Sequence, residues 1–331
     1  MANQIARGNS RRLGYATSEE LYRRTPLQKF ALKFTRQWQL YLMVMLPVFY
    51  VLLFSYGPMY GIQIAFRQYS IKGGITKSPW VGLAQFARFF ADRRWSQYVA
   101  NTVTISLYTI AASFPIPIIL ALFLHVNEHK VLKKITQNVS YIPHFISTMV
   151  MIGLLNQIVK PFNGMIASVM SQFGYSLTTD IRANPDAFYH LYVWSGVWQG
   201  MGWSAIMYVA ALAGVPMELH EAAKIDGASR WRRVLAVDLP AIAPTICILL
   251  ILRFSHVMSV GHEKIFLMQN DTNMVKSQVI STYVYRVGLS SASNYSFGSA
   301  VNLMNAYINI MLTLIVNWIT NKLSDGLYGL F

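Results

Sequence analysis

Six stretches of the chain are apolar over a length that can cross a bilayer, and the polar residues inside them distinguish one from another. Residues 40–66 and 98–126 hold no Lys, Arg, Asp or Glu, and each exceeds the ~20 residues that a helix needs to cross about 30 Å of hydrocarbon. Residues 135–159 and 188–215 are equally free of those charges but contain Asn, Gln, His and Ser. That mixture suits helices facing protein or an aqueous path better than helices facing lipid. Residues 241–260 are apolar apart from Arg253 and His256, and residues 297–320 apart from Asn302, Asn305 and Asn317. The pattern predicts an all-α integral membrane protein of about six transmembrane helices. Pro47 and Pro58 in the first stretch, Pro115 and Pro117 in the second and Pro143 in the third each remove a backbone hydrogen bond, so breaks or kinks are expected there. Such breaks line pathways, but they are also ordinary in membrane helices.

Composition agrees with this pattern. Hydrophobic residues make up 54% of the 331 positions and charged residues only 12%, against roughly a quarter charged in soluble domains. The net charge of +15 does not point to nucleic acid, because basic loops follow from positive-inside topology and no basic, aromatic soluble module is present. Cys247 is the lone cysteine, so an intrachain disulfide is excluded. The first 38 residues are polar and basic, unlike a signal peptide, and are expected to stay as a cytoplasmic arm. An even number of spans then puts both ends in the cytoplasm. More of the Lys and Arg fall on the inside than on the outside in this orientation. The outer face nevertheless keeps Arg67, Arg88, Arg93 and Arg94.

The connection between the fourth and fifth stretches is the most informative. Residues 216–226 read as a short helix, Gly227 as a turn residue able to take positive φ, and 229–237 as a second helix ending before Pro240. Glu221-Ala222-Ala223 is followed after three residues by Gly227, and after nine more by Val237-Asp238-Leu239-Pro240. This spacing resembles the EAA loop of ABC importer permeases, with Val237 where that family has Ile. An amphipathic helix-turn-helix lying on headgroups is the alternative, but it does not require these fixed spacings. The resemblance extends over roughly residues 28–323. Trp80-Val81-Gly82-Leu83, Phe89-Phe90, Ser140 to Ser147, Tyr208 to Leu212 and Ser281 to Arg286 are similar to carbohydrate importer permeases of the lipoprotein and polysaccharide-uptake subgroup, which are of the maltose-permease type.

The resemblance implies a type I importer permease fold in a bacterial cytoplasmic membrane. The permease domain would cover 39–323, with an arm at 1–38, a coupling loop at 216–240 and a tail at 324–331. Glu221, Ala222, Ala223, Asp226, Gly227, Leu239 and Pro240 would couple the chain to an ATPase. The implied partners are a second, homologous permease chain, two ATPase subunits that use ATP and Mg, an extracytoplasmic solute-binding protein and a saccharide substrate. No cofactor is expected on this chain, since Gly73-Gly74-Ile75-Thr76-Lys77-Ser78 lacks the Gly-Lys pair and spacing of a phosphate loop.

Candidate pathway residues come from the polar positions. Trp194 and Trp198 share a helix face, with Gln199 beside them, and aromatic faces bordered by amides suit sugar rings. Interfacial anchoring or helix packing is the alternative for both. Asn302 and Asn305 have the same choice between substrate and helix–helix hydrogen bonds. Arg253 sits deep in the fifth stretch, where an uncompensated charge costs at least ~2.5 kcal/mol. It therefore faces a wet cavity, a partner chain's acid or carbonyls, and a guanidinium also suits a uronate carboxylate. His256 follows three residues on. A secondary transporter would need intramembrane acids, and none lies in any predicted span. A membrane enzyme would need a clustered acid, base or metal set, yet the seven histidines show no tight ligand spacing and no metal is expected. A permease for a non-sugar solute remains the nearer alternative.

Overall fold

The computed structural model describes residues 37–290 and 294–323. The expected N-terminal arm, up to residue 36, and the tail from 324 lie outside the described residues. The chain divides into two units at Gln63 and Ile64. The described part of the first unit is one apolar helix, α1 (Trp38–Val51), with Pro47 inside it. It widens into a π turn over Leu52–Tyr56 just ahead of Pro58, then tightens into 3₁₀ geometry over Gly57–Phe66. A proline ring collides with the carbonyl four residues back, and a π turn moves that carbonyl aside, so the helix continues instead of ending.

The regular elements of the second unit are all helices among the described residues, with isolated bridges at Arg67–Trp80 and Ser70–Gly74. Its elements are α2 (Ala84–Ala91), α3 (Trp95–Ser113), α4 (Pro115–Val126), α5 (Lys130–Tyr141), α6 (Thr148–Val159), α7 (Met165–Gln172), α8 (Pro185–Ala213), α9 (Met217–Ile225), α10 (Arg230–Arg233), α11 (Leu239–Phe254), α12 (His262–Met268), α13 (Ile280–Val284) and α14 (Tyr295–Leu323). Among the described residues, four helices are long and apolar enough to cross a membrane, and up to six if each of two bent pairs is one span.

The break expected at Pro143 is present: Lys130–Phe145 and Thr148–Val159 meet at 103°; Pro143 sits in the 3₁₀ turn Ile142–Phe145 that ends α5, and Ser147 accepts from the Val150 amide to start α6 afresh. One local expectation changes. The second helix of the 216–240 segment does not stop before Pro240. It passes through a π turn, Val234–Asp238, and runs on as α11, so 230–254 is one continuous helix. The π turn here stands two residues before a proline, as it does before Pro58.

Helix α8 is the centre of the unit, touching α3, α4, α5 and α11. Ala121 of α4 and Ala205 of α8 are fully buried beside Tyr208, Leu212 and Ile242. Small residues let helix backbones approach closely where hydrophobic burial gives little drive within a bilayer. A second core joins Phe89, Tyr98, Met258, Ile280 and Phe297. Polar side chains of α3 stitch the segment after α11 onto the bundle. Asn101 donates to the Val275 and Gln278 carbonyls, both at 2.9 Å, and the Ile280 amide donates to Thr102 Oγ1 at 3.0 Å. These bonds satisfy irregular backbone that lacks a helical partner.

Candidate functional site

Two features carry functional geometry: a pair of cavities beside α11, and the exposed turn between α9 and α10. The larger cavity, about 370 Å³, is lined by Ser113, Phe114, Pro117, Trp203, Tyr208 and Arg253 among others. The smaller, about 230 Å³, is lined by Ser106, Thr109, Tyr192, His256 and Gly261, and it shares Ser113, Leu252 and Arg253 with the first. Arg253 thus stands where the two cavities adjoin. It occupies the last turn of α11, where unpaired carbonyls favour a cation. Its side chain is exposed and forms no ion pair among the described residues. His256 lies in the turn that ends the helix, with Nδ1 2.7 Å from Ser255 Oγ and 3.2 Å from the Leu252 carbonyl. Ser113, at the junction of α3 and α4, lines both cavities.

Other sequence candidates lie elsewhere. Trp194 Nε1 donates to Tyr108 Oη at 2.9 Å, and that hydroxyl is 2.8 Å from His190 Nδ1. Trp198 is exposed, and neither tryptophan lines the cavities. Gln199 Nε2 donates to the Ile146 carbonyl at 2.8 Å, serving backbone at the break between α5 and α6. Asn302 is exposed and Asn305 buried, and Asn305 Oδ1 has no hydrogen-bond partner. The structure therefore brings Arg253 and His256 together, and adds Trp203, Tyr208 and Ser113, which the polar-residue reading did not select as site residues. Trp203 stacks on His144 with ring centroids 4.5 Å apart. Its signal was present in the sequence as one member of the Trp194, Trp198, Trp203 series.

In the turn, Gly227 has φ +76°. The Asp226 amide donates to Ala222, and the Ala228 amide to Ala223, closing α9. Glu221, Ala222, Asp226 and Gly227 are exposed, whereas Leu239 is half-buried. Ile225 is 86% exposed, with Met217, Leu219, Trp231 and Leu235 also open, so the loop presents apolar side chains beside charges. Ser229 Oγ accepts from the Arg232 amide to start α10, and Arg230 pairs with Glu128 at 3.1 Å. Trp231 packs edge-on against Phe123 of α4.

Residues 113–325 match the family described as "Binding-protein-dependent transport system inner membrane component". The chain is 34% identical to the polygalacturonan/rhamnogalacturonan transport system permease protein YteP of Bacillus subtilis (strain 168), over 95% of this chain and 97% of that one. It superposes on a crystal structure of a bacterial ABC transporter involved in import of the acidic polysaccharide alginate, with TM-score 0.80 and 32% identity, covering 89% of this chain and 99% of that one. A bacterial alginate ABC transporter in complex with an alginate pentasaccharide-bound periplasmic protein matches with TM-score 0.81 and 32% identity, covering 90% and 98%.

Proposed function

The chain belongs to the family of binding-protein-dependent transport system inner membrane components, and from this premise we propose that it forms one wall of an ATP-driven importer for an acidic oligo- or polysaccharide. It is a transport permease of the carbohydrate ABC importer type, with the helical fold of a type I importer.

The observation that carries the acidic substrate is Arg253, a cation without an acid partner among the described residues, at the junction of two cavities. A guanidinium can bind a uronate carboxylate through two parallel hydrogen bonds, and the contact strengthens where water is scarce. Trp203 and Tyr208 beside it offer aromatic faces for the C–H patches of a sugar ring. The names of relatives that carry polygalacturonan and alginate point the same way.

The 216–240 loop would dock its Ala222 and Ala223 face and its apolar rim on a separate ATPase, which uses ATP and Mg. Two such ATPase subunits, a second and different permease chain and an extracytoplasmic solute-binding protein would complete the assembly, with both termini of this chain in the cytoplasm. ATPase closure would shift the loops, the two permease chains would rock apart, and the central path would open alternately to each side.

The test is uptake of acidic and neutral oligosaccharides by the Arg253→Gln importer. Loss of a charge-assisted pair worth about 1.5–3 kcal/mol lowers acidic uptake roughly tenfold or more and spares neutral uptake. An equal, small effect on both, with assembly intact, removes Arg253 from the path.

A further inference from the structure

Asp238 is the one fully buried carboxylate among the described residues, 1% exposed, and it faces two histidines in place of a Lys or Arg. Its Oδ1 lies 3.2 Å from His220 Nε2 and 3.5 Å from His125 Nε2. The three residues come from three elements: His125 from the last turn of α4, His220 from α9 and Asp238 from the π turn ahead of α11. Asp238 Oδ1 and His220 Nε2 are both buried, and although 3.2 Å apart they do not meet in hydrogen-bond geometry with each other or with any other described residue. A buried contact of this kind is costly as a bare pair and gains from a further group that engages both atoms.

We propose that His125, His220 and Asp238 form a binding site for a divalent transition-metal ion of the zinc class. Three donor atoms, one from each residue, all lie within 4.8 Å of one another. Zinc takes nitrogen and carboxylate ligands at about 2.0–2.1 Å in a tetrahedron, which sets neighbouring ligand atoms about 3.3–3.4 Å apart. The two separations from Asp238 Oδ1 bracket that edge. Two imidazoles and one carboxylate suit zinc, cobalt or nickel, whereas magnesium and calcium prefer all-oxygen sets. The His125 side chain is 29% exposed and His220 14%, so one side of the cluster stays open for a water as fourth ligand and for entry of the ion.

Such an ion would tie the α9 helix to the end of α4 and to the start of the α11 rod. The loop would then move with the bundle as one body instead of flexing at the 72° bend between α8 and α9. The assignment does not depend on which solute the chain carries. The competing account is a shared proton, with one histidine charged against Asp238 and no metal.

The experiment uses the full chain in detergent with whatever subunits co-purify, stripped with a chelator and then given zinc chloride alone, with magnesium and calcium chloride as comparisons. Bound metal is counted by mass spectrometry after gel filtration, and thermal unfolding is followed in parallel. The site predicts one zinc per chain more than in His125→Gln and His220→Gln, a rise in Tm with zinc only, and visible d–d bands of a tetrahedral ion on cobalt substitution. Each Gln variant loses at least ~10-fold in zinc affinity while assembling normally; His125, the most open of the three, keeps the comparison valid if Asp238→Asn fails to fold. Equal zinc content in wild type and both Gln variants overturns the site. So does the absence of bound zinc with a Tm that rises on acidification through the histidine range, which identifies the shared proton.

Discussion

The backbone of Gly202 in α8 lies against the carbonyl of Ser140 in α5 so closely that a Cβ would collide with it. That contact joins the long central helix to the helix before the 103° break. Replacing Gly202 by Ala forces the two backbones apart, and overpacking of this kind costs roughly 1–3 kcal/mol or more. Gly200, two residues earlier, has open space where its Cβ would be. Gly200→Ala is therefore expected to be neutral or slightly stabilising, since Ala is the better helix former by up to ~1 kcal/mol. Thermal unfolding in detergent should separate the two variants. Equal Tm values would mean that α5 and α8 do not touch there.

Gly227 takes φ +76° with nothing near its Cβ position, so its requirement is conformational and not steric. An L-residue in that region costs about 1–2 kcal/mol. Gly227→Ala should therefore fold and keep partial coupling. Gly227→Pro, whose ring fixes φ near −65°, should remodel the turn. The expected result is loss of substrate-stimulated ATPase activity and uptake with helical content unchanged. Normal values for both in the Pro variant would remove this loop from coupling.

The helical class was readable because long uncharged runs leave few other folds, and the turn at Gly227 was readable because its φ of +76° is one that glycine takes without strain. What could not be read was local. Pro240 signals a stop by its missing N–H, yet the π turn at Val234–Asp238 absorbs the clash and the helix continues. At 135–159 Pro143 signalled the break, but not that Ser147 would restart the helix at 103° to the first. Gln199 and Trp194 looked like pathway residues by type, but their hydrogen bonds go to the Ile146 carbonyl and to Tyr108. Side-chain type alone does not reveal which neighbour claims it. His125, His220 and Asp238 are far apart in sequence, so no spacing could bring them together.

Asn309 shows how a buried amide supports the cavity wall. Its Oδ1 accepts from the Met258 amide and its Nδ2 donates to Ser259 Oγ, both at 2.9 Å, holding the turn after α11 that carries His256. Truncation leaves a buried backbone N–H unsatisfied, at about 1–3 kcal/mol. Asn309→Ala should lower Tm and speed hydrogen exchange at Met258 specifically. Asn302→Ala, at an exposed position on the same helix, should do neither. Matching exchange at Met258 in the two variants would contradict the assignment.

Lys264 in α12 offers a pH readout. Its Nζ donates to the Tyr192 carbonyl at 2.7 Å and lies 4.5 Å from the centre of the Tyr192 ring, with no acid paired to it among the described residues. Burial disfavours the ammonium and brings its pKa down to about 8, from 10.5 in an unconstrained lysine. Below pH 8 both folded and unfolded chains hold this proton, and the folded state bears a constant cost of burying the charge. Between about pH 8 and 10.5 the unfolded chain holds the proton and the folded chain does not, so stability rises with pH across that window. Lys264→Met keeps an unbranched stem of similar length without the charge. The variant should therefore melt higher than wild type at pH 7, and its advantage should shrink steadily as pH rises from 8 to 9.5. Taking the difference between the two proteins cancels every other titrating group. A difference that stays flat or widens over that range would mean that Lys264 remains hydrated in the folded chain.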